Sequence, residues 1–282
     1  MAMDEKGLGS RLQAMRLQAG LTQQALCQQA NLSYSTLTKI ERGAIKSPSI
    51  FTIQSIADAL GVSLDELLQT GAPKKRALQH SKSGVGFVYF DINGCLVRFF
   101  HGAFTRLAAE TGEPADVVET IFWHYNDQVC KGELPLADFN KVFAKELHLP
   151  QLDWLAYYLE AIEPIPEMHQ LVTWAAEHYR VGLLTNIMPG FIKVMLEKGL
   201  LPAVAYDAII DSSEVKAIKP EARIYEQATR AAHCPAGEIL LIDDSRANLM
   251  AAEKHGWHVL WFDDYDTTAS VERVRQTLEP AS

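Results

Sequence analysis

Phe87-Val88-Tyr89-Phe90-Asp91-Ile92-Asn93-Gly94 is an apolar run that stops abruptly at a carboxylate and then turns at a glycine. Four consecutive large apolar side chains leave no polar face, the pattern of a strand covered on both sides. Further short apolar runs lie at Val181–Leu184, Ala208–Ile210, Ile239–Ile242 and Val259–Phe262, with helix-patterned stretches between them. That alternation, beginning with the run from Gly86, predicts a doubly wound α/β unit with a parallel sheet. Ligands of such sheets bind beyond the carboxyl ends of the strands, which is where Asp91 is expected to point.

Three more segments reach the same edge. Gly182-Leu-Leu-Thr185-Asn186 ends the second strand in a hydroxyl and an amide, and Lys219-Pro220 places an ammonium at the expected start of a helix. Ile239-Leu-Leu-Ile-Asp243-Asp244-Ser-Arg-Ala-Asn248 sends two adjacent carboxylates out of another strand. Neighbouring acids repel, and a hard divalent cation such as Mg²⁺ beside a phosphate relieves that repulsion. Between the first two strands lie roughly 80 residues of helical pattern, including Phe139, Val142, Phe143 and Leu147, then Met168, Leu171, Val172 and Ala175. A helical insertion over about 100–178, acting as a lid, is expected.

In this order the four segments resemble the four motifs of the haloacid dehalogenase-like (HAD) hydrolases, over about residues 86–265. The resemblance implies a Rossmann-like core with an α-helical cap. It makes Asp91 the nucleophile, forming an aspartyl-phosphate, and sets Thr185, Asn186 and Lys219 around the phosphoryl group. It assigns Mg²⁺ to Asp91, the Asn93 carbonyl, Asp243 and Asp244, with Asn248 in support. Phosphatases of the family carry a second aspartate two residues after the nucleophile, and here that catalytic position holds Asn93. An amide cannot exchange a proton near neutral pH, so the acid–base contribution is expected to be missing. A dehalogenase needs no such proton, but the Asp243-Asp244 pair argues against a metal-free enzyme.

Upstream, Gly71-Ala-Pro-Lys-Lys-Arg-Ala-Leu-Gln-His-Ser-Lys-Ser-Gly84 is polar and basic, and residues 72–85 are read as a linker. Residues 1–71 read as short helices separated by turn residues at Gly20, Asn31, Gly43, Ser47-Pro48 and Gly61, with a capping box at Ser63-Leu-Asp-Glu66. Leu21 to Gly43 holds a helix, a tight turn at Ala30-Asn31 and a second helix capped by Ser33, which is helix-turn-helix geometry. Leu37 and Ile40 would face the core and Tyr34, Ser35, Thr38 and Lys39 the outside. Residues 7–70, with the Leu-Thr-Gln opening and the Ile40-Glu-Arg-Gly43 close, resemble the lambda repressor/Cro-like (XRE) DNA-binding domain. The resemblance nominates Tyr34, Ser35, Thr36, Thr38 and Lys39 for base edges and Gln23 for phosphate. It also implies a homodimer on double-stranded DNA, with half-sites about one helical turn apart.

Charge divides the same way as pattern. Of a net −9, residues 1–84 carry 10 Lys and Arg against 6 Asp and Glu, whereas residues 85–282 carry 16 against 29. Only the first segment suits a polyanion. The four cysteines form no CxxC pair and the histidines no HxxxH or HExxH spacing, which argues against zinc sites and disulfide frameworks. No apolar stretch reaches the roughly 18 to 20 residues of a spanning helix, and the start lacks a signal-peptide pattern, so a cytoplasmic, membrane-free protein is expected. The expected architecture is therefore multidomain, with an all-α helix-turn-helix domain (1–71), a linker (72–85) and a HAD-like domain (86–282). The expected function is a DNA-binding regulator whose HAD-like domain senses, or slowly hydrolyses, a phosphorylated small molecule, ligand occupancy moving the lid. The rival reading is a Mg²⁺-dependent phosphatase using the helix-turn-helix only for localisation or dimerisation, and a third is a catalytically dead scaffold.

Overall fold

The computed structural model describes residues 7–19, 21–45, 48–62, 64, 67 and 78–280. The chain divides into two compact units, Met1–Lys75 and Arg76–Ser282. The expected turns at Gly20 and Ser47, the capping box at 63–66 (of which only Leu64 is described) and the linker residues 72–77 lie outside the described residues. Among the described residues no helix is long and apolar enough to cross a membrane.

Among the described residues of the first unit, helices span Gly7–Gln18 (α1), Gln23–Gln29 (α2), Tyr34–Glu41 (α3) and Ile50–Leu60 (α4). Thr22, Ser33 and Ser49 cap the last three, their hydroxyl oxygens accepting from the backbone N–H of Ala25, Thr36 and Thr52. Such caps contribute about 1 kcal/mol each. Asn31 turns the chain between α2 and α3 at φ 51°, the left-handed region that asparagine tolerates well. Leu12, Leu26, Leu37, Ile40, Ile53 and Ile56 form the core. Beside it the guanidinium of Arg16 reaches both carboxylate oxygens of buried Glu41, at 2.7 and 3.2 Å.

The second unit is a five-stranded parallel sheet in the order β3-β2-β1-β4-β5, built from Phe87–Phe90 (β1), Arg180–Thr185 (β2), Ala208–Asp211 (β3), Ile239–Asp243 (β4) and His258–Trp261 (β5). Val88, Phe90, Val181, Leu183, Leu240 and Ile242 enter one core cluster, while Phe87, Tyr89, Leu184, Ile210, Ile239 and Leu241 enter another. The period-two alternation thus supplies both faces, explaining why the runs read as uniformly apolar. Each fully buried side chain of this size contributes about 1.5–3 kcal/mol. Strand order reverses at β1, so the switch-point crevice lies at the carboxyl ends of β1 and its neighbours.

Four helices, His101–Thr111, Ala115–Cys130, Leu136–Glu146 and Trp154–Ala161, form the cap. The chain enters and leaves it through two antiparallel connections: Arg98 N–H bonds the Glu163 carbonyl at 2.8 Å, and Ile165 N–H bonds that of Leu96 at 2.9 Å. The expected insertion to residue 178 is therefore too long. Helix Pro166–His178 packs on β2 and the C-terminal helix Thr267–Thr277, making it part of the sheet's covering layer. The expected linker also extends too far. Gln79 N–H bonds the His178 carbonyl, Lys82 N–H bonds that of Glu279, and Ser81 pairs with Pro280, so residues 78–85 are already woven into the second unit. Pro220 precedes N-cap Glu221 of helix Ala222–Ala232 rather than opening the helix itself.

Candidate functional site

Backbone hydrogen bonding carries β1 one residue past its end, Asp91 N–H donating to the Ile242 carbonyl at 3.0 Å. This fixes the Asp91 carboxylate beside the end of β4, where Asp243 stands. Lys219 arrives on the loop before helix Ala222–Ala232, and its ammonium lies 2.5 Å from Asp243 Oδ2 and 2.9 Å from Asp91 Oδ1. The second contact is an ion pair without hydrogen-bond alignment, leaving Asp91 Oδ1 with no aligned donor. Ligand oxygens of Asp91, Asp243 and Asp244 lie within 4.8 Å of one another. Gly94 makes the approach of Asp244 feasible: at φ 78° it sits where a Cβ would collide with the Asp244 carboxylate.

Three carboxylates around one ammonium leave excess negative charge in a buried place. Burial first, then the repulsion of neighbouring acids, pushes Asp244 up to about 7; burial likewise pushes Asp91 up to about 6, against the pull of Lys219. Lys219 is raised by the two carboxylates despite its burial. The two members of the Asp243-Asp244 pair are not equivalent. Asp243 already accepts from Lys219, from Ser245 N–H at 2.8 Å and from Asn248 Nδ2 at 3.0 and 3.2 Å. Asp244 lines the open pocket with Asp91, Asn93, Lys219 and Asn248, whereas Asp243 and Thr185 do not.

The other expected residues are placed as follows. Asn186 accepts from Lys219 N–H at 2.7 Å and donates to the Lys219 carbonyl at 2.8 Å, so its amide clamps the lysine backbone. Thr185 is fully buried, and its Oγ1 has no hydrogen-bond partner. Asn93 Oδ1 accepts from the hydroxyl of Tyr158, on cap helix Trp154–Ala161, at 2.7 Å, which leaves the Asn93 amide N–H groups for the pocket. Tyr158 escaped the sequence reading because a tyrosine on an apolar helix carries no local sign of a partner 65 residues away.

In the first unit α3 presents Tyr34, Ser35 and Lys39 as exposed side chains, with Thr36 and Thr38 half-buried. Thr36 Oγ1 pairs with Ser33 Oγ at 2.7 Å, and Thr38 Oγ1 donates back to the Tyr34 carbonyl at 2.9 Å, so both hydroxyls are partly committed within the helix. Gln23 spends one amide N–H on Glu41, at 2.7 Å, keeping the other. Gln23 and Tyr34 line one shallow concavity together with Thr22 and Gln24, two residues the sequence reading passed over.

A parallel sheet with an acidic switch-point crevice under a helical cap defines a HAD-type hydrolase fold. Residues 87–256 match the family model of haloacid dehalogenase-like hydrolases, and the chain belongs to that family. Residues 12–67 match a helix-turn-helix family. Over 77 residues the chain is 36% identical to the immunity repressor protein of Bacillus phage phi105, covering 27% of this chain and 53% of the repressor, about half of that relative's length. Over 65 residues it is 40% identical to YazB, an uncharacterised HTH-type transcriptional regulator of Bacillus subtilis, covering 23% of this chain and 93% of that protein. The second unit is similar in fold to a HAD family enzyme from Bacteroides thetaiotaomicron solved as a magnesium complex (TM-score 0.56, 20% identity, 67% of this chain and 99% of that one). It is similar also to a predicted HAD-like family hydrolase from Porphyromonas gingivalis (TM-score 0.56, 19% identity, 68% and 98%).

Proposed function

We propose that this chain is a DNA-binding regulator whose HAD-like unit binds a phosphate monoester next to Mg²⁺ and hydrolyses it slowly. The observation that carries the reading is the juxtaposition of Asp91 and Lys219 at the sheet's carboxyl edge with an amide, Asn93, at the acid–base position. The donors fit a hard cation: oxygen ligands only, excess negative charge, and two raised carboxyls that a divalent ion would return to their ionised forms. Asp91, Asp244 and the Asn93 carbonyl would hold the ion, with Asp243 committed to positioning Lys219. When bound, it supplies charge neutralisation at the transferring phosphoryl group.

The chain's own residues do the rest. An Asp91 oxygen attacks phosphorus and the leaving-group oxygen departs, giving an aspartyl-phosphate. Lys219, held by the Asn186 clamp, neutralises charge on the phosphoryl oxygens, and Thr185 Oγ1 is an uncommitted donor at the same strand end. Asn93 hydrogen-bonds the leaving oxygen without protonating it. Water then attacks the phosphorus of the aspartyl-phosphate, breaking its bond to the Asp91 oxygen and releasing inorganic phosphate. Because Asn93 cannot take the water's proton, which leaves with the phosphate, this step is slow too. Turnover therefore favours esters whose leaving group departs as a stable anion.

Magnesium titration with thermal unfolding tests the site. The melting temperature of the second unit is expected to rise with the logarithm of the magnesium concentration above Kd, by the equivalent of about 2.7 kcal/mol at a hundredfold excess over Kd. Because Asp91 titrates at about 6 and Asp244 at about 7, that rise shrinks as pH falls through this range, when protons compete with the ion. A magnesium effect of equal size at pH about 8 and about 5, or one that survives Asp244→Asn, contradicts the assignment.

For the first unit, the basic balance and the exposed α3 face support duplex DNA as the partner. A homodimer on paired half-sites is part of this reading, as is a functional boundary within 72–85. Lys39→Ala, which removes a nominated base-edge contact, is expected to weaken binding to the preferred sequence by about 1–3 kcal/mol and to relax the sequence preference at the position it reads. Binding of wild-type protein without salt dependence would favour a protein-interaction module instead.

A further inference from the structure

The crevice over Asp91 is polar at one end and aromatic at the other. At the polar end stand Asp91, Asn93, Lys219 and Asp244; the far wall is made of Phe99, Phe100, Phe122, Trp123, Trp154 and Tyr158, brought together from the entry to the cap and two of its helices. Packing of the cap explains Phe100, Phe122, Trp154 and Tyr158, all at most 5% exposed within the main core cluster. It does not explain Trp123, which remains 44% exposed. Its indole N–H is pinned to Glu119 at 3.0 Å, and its ring lies 24° from the plane of Phe99 at a centroid distance of 6.2 Å. Two near-parallel faces, one of them fixed and wet, make a stacking platform.

Charge and size narrow the occupant. Among the described residues Lys219 is the one cationic side chain lining the crevice, and its charge is already shared by Asp91 and Asp243, while Asp127 lines it as well. A second anionic group on the ligand would meet no counter-charge. A polyol body would set most of its hydroxyls against Phe and Trp faces, with Asn126 and Asp127 able to meet only a few of them, which is penalised. The cavity, about 270 Å³, falls just below the usual range of about 300–1,000 Å³ for small-molecule sites, enough for a phosphoryl group and one ring.

Resting on the phosphate-monoester reading above, we infer that the site takes the phosphate ester of a single, otherwise uncharged aromatic ring, which stacks on Trp123 and Phe99 while the phosphoryl group meets Asp91 and Lys219. Sugar bisphosphates, phosphorylated carboxylic acids and dinucleotides are the classes it disfavours.

Phosphonates test this without turnover, since their C–P bond is not hydrolysed. In calorimetric titrations of the full chain with Mg²⁺, benzylphosphonate is expected to bind roughly tenfold or more tightly than ethylphosphonate, the scale of one ring stacked on an aromatic face. A carboxylate at the 4-position of the benzyl ring should cancel that advantage. Trp123→Ala should lower the ratio of benzylphosphonate to inorganic phosphate affinity about tenfold, and Trp123→Phe should keep most of it. Because Trp123 is exposed, neither variant threatens the fold. If inorganic phosphate binds but the ring confers no advantage, or the advantage survives Trp123→Ala, the ring specificity is wrong while the phosphate reading stands. If neither inorganic phosphate nor any phosphonate binds in the presence of Mg²⁺, both fall together.

Discussion

Asn93→Asp is expected to raise turnover of an alkyl phosphate by about 10²- to 10⁴-fold, the range attributable to general acid–base catalysis. The geometry favours a clean gain. The Tyr158 hydroxyl, 2.7 Å from Asn93 Oδ1, can donate equally to an aspartate oxygen, which fixes the new carboxyl in the rotamer the amide now occupies. Its second oxygen then takes the place of the amide nitrogen, facing the pocket. Burial and the nearby acids that already raise Asp91 and Asp244 would hold some of the new carboxyl protonated near neutral pH, as an acid catalyst requires. Leaving-group dependence gives the sharper readout. Wild-type rates should fall steeply as the pKa of the leaving alcohol rises, because that oxygen departs as an anion, whereas the variant should flatten the dependence by supplying the proton. Adding Asp91→Asn to the variant should abolish the gain. A rate that stays within about tenfold of wild type on every ester would mean that nucleophile, lysine and water do not share one reactive geometry, and the unit would then be a sensor only.

Strand ends were legible in the sequence because each combines two local signals, a short apolar run and an abrupt polar stop. The positions of Asp91, Thr185 and Asp243 at the sheet edge follow from that alone. The helix-turn-helix was legible for a similar reason: Asn31 and Ser33 mark a turn and a cap, and Leu37 and Ile40 mark the buried face of α3. The extent of the cap was not. Met168, Leu171, Val172 and Ala175 have the same helical spacing whether their helix covers the sheet or the crevice, and the Leu96–Ile165 pairing that closes the cap joins residues with no shared pattern. Roles within the site were hidden by the same nonlocality. Asn186 looks like a ligand-binding amide until Lys219, 33 residues away, is seen between its two polar atoms. The twin acids 243 and 244 look interchangeable until one is found with its lone pairs already used. Phe99, Trp123 and Trp154 carry no local sign of a shared role, and only the fold turns them into one wall.

Lys219→Met is expected to destabilise the second unit by about 3–5 kcal/mol, although methionine keeps most of the lysine's volume. Lys219 lies 1% exposed between Asp91 and Asp243, themselves 9% and 0% exposed as side chains, so its removal leaves buried carboxylates with no opposite charge. At roughly 2–4 °C per kcal/mol for a unit of this size, the melting temperature should drop by about 6–20 °C. Proton linkage separates this charge effect from poor packing. In the wild type, the lysine's pKa is raised above 10.5, so its contribution is complete at neutral pH and is lost only as pH climbs through that raised value. In the variant, the orphaned acids would take up protons on folding; the native state then binds more protons than the unfolded state across the carboxylate range, and stability falls as pH rises through it. The deficit should therefore be large at pH about 7.5 and should shrink toward pH about 4.5. Asp243→Asn added to Lys219→Met should recover part of the loss by removing one orphan, and Mg²⁺ should recover more by supplying a substitute cation. A deficit independent of pH, untouched by either remedy, would mean that the lysine stem rather than its charge holds this end of the sheet together.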